Sequence, residues 1–158
     1  MAELKRGHVI SKEYLEDNVG EYLVYSFQTA NNDEIGKINT FDFDGEFITR
    51  TTDGANAGTV FYRKGKFSIT NVYALIKIIN TKKLDYKYLL YWLSIEAKKH
   101  VYSGMGNPKL MSNQAAKIPI PILPLPVQRE IVCILDTFTE LTARKNNMNI
   151  IEISYLHL

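Results

Sequence analysis

The sequence predicts an α/β (mixed α+β) fold: a twisted, largely antiparallel sheet with packed helices, followed by an amphipathic C-terminal helix. Three observations carry this. Short segments rich in β-branched and aromatic residues, separated by glycine and polar turn clusters, fill the chain to about residue 79. The apolar spacing then changes from two to about 3.6, the helical period. The length, 158 residues with 46% hydrophobic and 23% charged, is that of one ordinary folded domain.

Tyr22 to Phe27 (YLVYSF) reads as a strand between Gly20 and the polar cluster Thr29-Ala30-Asn31-Asn32-Asp33. Glu46 to Thr51 alternates Phe47, Thr49 and Thr51 against Ile48 and Arg50, the period of a half-exposed strand, and Asp53-Gly54 then signals a turn. Gly58–Arg63 and Lys66–Ile69 flank Lys64-Gly65 as a hairpin with a cationic tip. Val72 to Ile79 is short and apolar, as in a strand buried on both faces. A helix is predicted over 85–100. Asp85 serves as N-cap, Tyr86, Leu89, Leu90, Leu93 and Ala97 share one face, and Lys98-Lys99 suit the negative end of the helix dipole. Gly104 to Pro108 is a loop, Ser112 caps a short helix to Lys117, and Ile118 to Pro124 is extended because proline denies it a central sheet position. From Pro126 to about 145, Val127, Ile131, Leu135, Phe138 and Leu141 form one stripe, which is longer than packing on its own domain needs and so predicts a partner helix. Residues 146–158 keep no register and are expected to be an irregular tail, so the division is 1–125, 126–145 and 146–158.

Charge is segregated along the chain. Residues 1–53 balance to −6, residues 54–129 to +10 and the rest to −2, for a total of +2. A positive region in a near-neutral protein suits a polyanion, because clustered Lys and Arg replace counterions condensed on phosphates. The alternative reading is a protein-interaction module whose cations meet an acidic partner.

Enzymatic chemistry leaves no trace. Cys133 is the only cysteine and His8, His100 and His157 are scattered, so no metal or nucleophile spacing exists, and no cofactor is expected. Asn107-Pro108-Lys109-Leu110 lacks the second proline and the aromatic of an amino-methylation motif. Gly54-Ala55-Asn56-Ala57-Gly58 lacks the context of a nucleotide loop and is read as a tight turn. Asp42, Asp44 and Glu46 around Gly45 are read as an acidic turn rather than a metal site. No run is long enough to span a membrane and the N-terminus has no apolar signal segment, so a cytoplasmic protein is expected.

Loops can bring Lys and Arg to phosphates, while neutral amides read base edges. Those types coincide at Arg63, Lys64 and Lys66 on the hairpin tip and at Asn107, Lys109, Asn113 and Gln114 in the loop after residue 104. Arg50 joins them as a solvent-side strand residue.

The stretches Lys5 to Lys12, Gly36 to Thr40, Phe43 to Phe47, Asp53 to Val60 and Gly65 to Val72 occur in an order that resembles the target recognition domain of a type I restriction-modification specificity subunit. Ile118 to Pro124, with Gln128-Arg129-Glu130-Ile131-Val132 and Ile134-Leu135-Asp136, resembles that family's junction into its spacer helix. The resemblance covers about residues 4–145. It implies a non-catalytic subunit that recognises double-stranded DNA for modification (methyltransferase) and restriction subunits, two such domains reading a bipartite site through paired helices. With one recognition domain and a short spacer-type helix, the chain is expected to be a half-subunit, a truncated form or an excised domain. A homodimer through the C-terminal helix is one expected partner state.

Overall fold

The computed structural model describes residues 2–27, 31–104 and 106–155, the side chains of Asn31 and of residues 146–155 aside. Its strands are β1 (Ala2–Arg6), β2 (Val19–Tyr25), β3 (Glu34–Ile38), β4 (Phe43–Thr51), β5 (Val60–Ile69) and β6 (Tyr73–Ile78). They form one sheet in the order β1-β6-β4-β5-β2-β3, antiparallel throughout except where β2 runs parallel to β5. The helices are α1 (Lys12–Asp17), α2 (Tyr86–Glu96) extended by a 3-10 turn at Ala97–His100, α3 (Ser112–Ala115) and α4 (Leu125–Tyr155). The fold is therefore the mixed α/β one that periodicity predicts. Part of the polar cluster after β2 and one residue of the 104–108 loop lie outside the described residues.

No hairpin turns at Lys64-Gly65. β5 continues unbroken through them and pairs with β4 from Phe43–Phe67 to Arg50–Val60. Gly65 stands opposite Gly45, with φ of 98° and 130° respectively. A facing pair of glycines lets both strands bend at one level without parting, so the local turn signal marks a bend in a long ribbon. Asp44 and Glu46 accordingly belong to a strand and not to an acidic turn.

The sheet carries a core on each face. Alternation places Ile48, Arg50, Tyr62 and Ile76 on one side and Phe47, Thr49, Arg63 and Leu75 on the other. On the first, Ile48, Ile76 and Ile78 pack with Leu84, Leu89 and Leu93 of the α2 region and with Leu110 and Ile118. Each such side chain, once buried, contributes roughly 1.5–3 kcal/mol. On the second, Tyr25, Phe47, Phe67, Ile69, Tyr73 and Leu75 form an aromatic cluster, the Phe47 and Phe67 rings meeting edge-on with centroids 5.7 Å apart. Tyr73 donates its hydroxyl to buried Asp33, and burial together with that carboxylate pushes its pKa upward.

A sheet covered on both sides has no solvent face at its centre. Phe47 to Thr51 are all buried, which corrects the half-exposed reading of this strand. Arg50 is 1% exposed and Arg63 4%, so neither is the surface cation expected.

Helix ends follow the expected chemistry with one exception. Asp85 caps α2, its carboxylate accepting from the Lys87 and Tyr88 N–H groups at 2.8 and 3.1 Å. The short α3 is capped from Met111 rather than Ser112 and ends at Ala115 rather than Lys117. The Met111 N–H donates to Gln114 Oε1 at 2.9 Å, so Gln114 closes its own helix. Backbone helix in α4 continues through the predicted irregular tail to Tyr155, and residues 156–158 lie outside the described residues.

Candidate nucleic-acid interface

The end of the sheet where β4 leaves and β5 begins gathers four polar connections: those after β1, between β4 and β5, before β6, and after the 3-10 turn. Backbone bonds fasten the last of these to the second. Leu110 N–H donates to the Thr52 carbonyl and Gly54 N–H to the Pro108 carbonyl, both at 2.9 Å. Tyr102 and Lys109 exchange N–H···O bonds at 2.8 and 2.9 Å, closing the loop between them. From below, Arg50 Nη1 donates to the Leu110 carbonyl at 2.6 Å. A buried cation thus holds the base of a surface loop.

On this platform Asn107, Lys109 and Asn113 are exposed, and Lys109 Nζ lies 3.7 Å from Asp53 Oδ1. Arg6 joins them, its Nε donating to the Asn71 carbonyl at 2.8 Å. Gly7 sets the path that puts Arg6 there, since a Cβ at this position would sit 2.1 Å from the Ile69 carbonyl oxygen. Arg6 is not among the sequence candidates, which come from the cationic stretch 54–129 with Arg50 added as a strand residue. Gln114 is at the same end, but its amide oxygen is engaged in the cap.

Lys64 and Lys66 are elsewhere. Lys64 pairs with Glu46, seven residues along β4 from Asp53, or about 23 Å at the rise of an extended strand. Its Nζ is 3.0 Å from Glu46 Oε1, and it holds that carboxyl below the usual carboxylate range. Lys66 Nζ sits 4.7 Å from the Phe41 ring centre. The candidates therefore divide into two cations on the bent ribbon, two buried arginines and one polar loop cluster.

The spacer-helix stripe divides as well. Ile131 packs on the α2-side core, and Leu135 is half-buried in a shallow apolar groove with Tyr88, Tyr91 and Trp92. Val127, Phe138 and Leu141 are exposed, at 44%, 63% and 55%. Gln128, which periodicity did not single out, is fully buried. Its Oε1 accepts from Asp85 N–H at 2.9 Å, and its Nε2 donates to the Lys83 and Leu123 carbonyls at 2.8 and 2.7 Å. Among the described residues no group of three or more His, Cys, Asp or Glu could hold a metal, and no helix is long and apolar enough to cross a membrane.

Residues 1–153 match the type I restriction modification DNA specificity domain. The chain belongs to this family. It is 47% identical over 138 residues to a Mycoplasma pneumoniae protein described as the N-terminus of a type I specificity subunit, covering 87% of this chain and 73% of that one. It is 43% identical over 141 residues to the type I restriction enzyme MpnII specificity subunit of the same organism, covering 89% of this chain and 42% of the relative. Across several such relatives it spans between about two fifths and three quarters of their length. The fold is that of solved specificity subunits. The one from M. genitalium superposes with a TM-score of 0.71 at 19% identity, over 88% of this chain and 37% of the other. The one from Thermoanaerobacter tengcongensis gives 0.66 at 17%, over 90% and 36%. As a type I specificity domain, the chain is a target recognition component and not a catalytic one.

Proposed function

We propose that this specificity domain binds duplex DNA through the loop end of its sheet and reads one half of a bipartite target for a restriction-modification complex. The observation that carries the reading is the fastened segment from Tyr102 to Asn113. It presents an exposed cation, Lys109, between two exposed neutral amides, Asn107 and Asn113, on a base held by Arg50. Cations give affinity for any duplex, and rigidly held amides discriminate bases. The +10 balance of residues 54–129 supplies the long-range attraction. The methyltransferase and nuclease subunits supply the chemistry, and the exposed side of α4 meets either the methyltransferase subunit or the helix of a second recognition domain.

Replacing Lys109 with Ala is expected to weaken binding to all duplexes alike and to make the salt dependence shallower. Asn107→Ala or Asn113→Ala is expected to change preference at single base pairs by roughly 1–3 kcal/mol. Titration of cognate and scrambled duplexes checks this. A chain that binds acidic protein but no duplex would be an interaction module instead.

A further inference from the structure

We infer that the cleft bounded by Arg6, Thr52, Leu110, Met111, Ser112 and Asn113 receives one phosphodiester of the DNA backbone. Arg6 is its direct ligand, and Arg50 is a positioning charge beneath it. The inference rests on the DNA-binding reading and deepens it, because it assigns a phosphate site to Arg6 of β1, which that reading leaves without a role, beside the segment that presents the amides.

The strand register creates the cleft. Arg6 and Arg50 both pair with Ala74, one from each side, so the two arginines project from the same face with only a methyl group between them. Their Cα atoms are separated by two strand spacings, about 10 Å. The recess has a volume of about 370 Å³. Arg50 is nearly fully buried, and only its Nη1 is bonded. Its Nε and Nη2 are buried with no hydrogen-bond partner among the described residues. Such an arrangement is costly for a buried cation and points to a counter-charge that arrives from outside.

The local charges agree. Burial and the neighbouring Arg6 together lower the Arg50 pKa to about 10, while Asp53 acts in the opposite direction. Asp53 is shared, however, with Lys109 Nζ at 3.7 Å and the Thr52 hydroxyl at 2.5 Å. One carboxylate thus serves two cations, Arg50 and Lys109, and a hydroxyl, and the excess positive charge lies under a cleft whose rim offers Ser112 as a neutral donor. A phosphodiester relieves that excess through Arg6, and Arg50 acts on it through the low-dielectric floor rather than by contact.

The test uses the full chain and a duplex it binds. Wild type, Arg6→Gln, Arg50→Met, the double variant and Lys82→Gln, an exposed cation in the turn after β6, are titrated across a salt series. Arg6→Gln is expected to weaken cognate and scrambled duplexes by the same factor and to make the salt slope shallower by about 0.9, the value for one phosphate. One uncharged methylphosphonate position in the duplex should reproduce this loss in wild type and add nothing in Arg6→Gln. Arg50→Met should weaken wild type by a larger factor than it weakens Arg6→Gln, the residual loss in the double variant coming from the freed Leu110 carbonyl, and Lys82→Gln should change neither quantity. If Arg50→Met does not fold, the Arg6→Gln slope and the methylphosphonate scan still decide. An unchanged Arg6→Gln slope in a chain that reads sequence overturns the cleft and leaves the DNA reading intact. Absence of duplex affinity in wild type overturns both. Inorganic phosphate that raises the melting temperature of wild type but not of Arg6→Gln, without duplex affinity, marks a free-anion site and overturns the phosphodiester assignment.

Discussion

Arg63 lies with its guanidinium carbon 3.8 Å from the centre of the Tyr25 ring and 4.7 Å from that of Phe61, and its Nη2 donates to the Asn32 carbonyl at 2.8 Å. A cation stacked, bonded and buried in this way stabilises the aromatic face of the sheet. Arg63→Ala is therefore expected to cost about 1–3 kcal/mol in urea unfolding and to leave the duplex affinity of the folded protein unchanged. Gln128 is the larger case. Gln128→Leu leaves one N–H and two carbonyls without their partner and is expected to destabilise the chain by at least about 2 kcal/mol, read from the same unfolding midpoint. Asp136 gives a pH prediction. Lys87 at 2.5 Å and the Tyr91 hydroxyl at 2.6 Å hold its carboxyl below the usual range. A depressed carboxylate stabilises the fold above its unfolded pKa, and that stability is lost as pH falls through the folded value. The gap between wild type and Asp136→Asn, on the order of 0.2–1 kcal/mol for a partly exposed pair, should hold at neutral pH and close below about pH 4. None of these three roles was legible in the sequence. Polar residues on a strand or helix look solvent-facing until the partner that covers them is known.

The elements show where periodicity sufficed and where it failed. The helix capped by Asp85, the strand at Val72–Ile79 and the proline-rich extended arm were readable because cap, length and ring chemistry are local properties. β5 was not, since Lys64-Gly65 is a turn signal by composition and a strand bend by pairing with Gly45, a contact made 20 residues away. α4 was half legible. The stripe predicted one face, whereas the fold gives its members two tasks. Leu135→Asp is expected to destabilise the domain because Leu135 lies in the groove with Tyr91 and Trp92. Phe138→Asp is expected to leave unfolding unchanged and to abolish association with a partner helix, because Phe138 is 63% exposed. Sedimentation of the two variants beside urea unfolding separates these effects. An oligomeric state unaffected by Phe138→Asp would show that this side of α4 has no helical partner.

For the whole molecule, the proposed recognition surface is an assembly of connections rather than of any contiguous segment. β1 delivers Arg6, the β4–β5 connection delivers Asp53, and the loop after the 3-10 turn delivers Asn107 and Lys109. Charge segregation singles out the stretch 54–129, which holds Lys109, Asn107 and Asn113, and passes over Arg6, because net charge per segment ignores which strands become neighbours. It also groups Lys64 and Lys66 with them, although these stand opposite Glu46 and Asp44, about 23 and 30 Å along the ribbon from Asp53. The proposed role of this loop end is to read DNA sequence. It is tested most directly by selecting bound molecules from a random duplex pool with the wild-type chain and with Asn107→Ala. Wild type is expected to enrich one short, contiguous sequence and the variant to relax the preference at one base pair of it. Recovery of an unenriched pool by wild type, at a salt concentration where it still binds duplex, would contradict it.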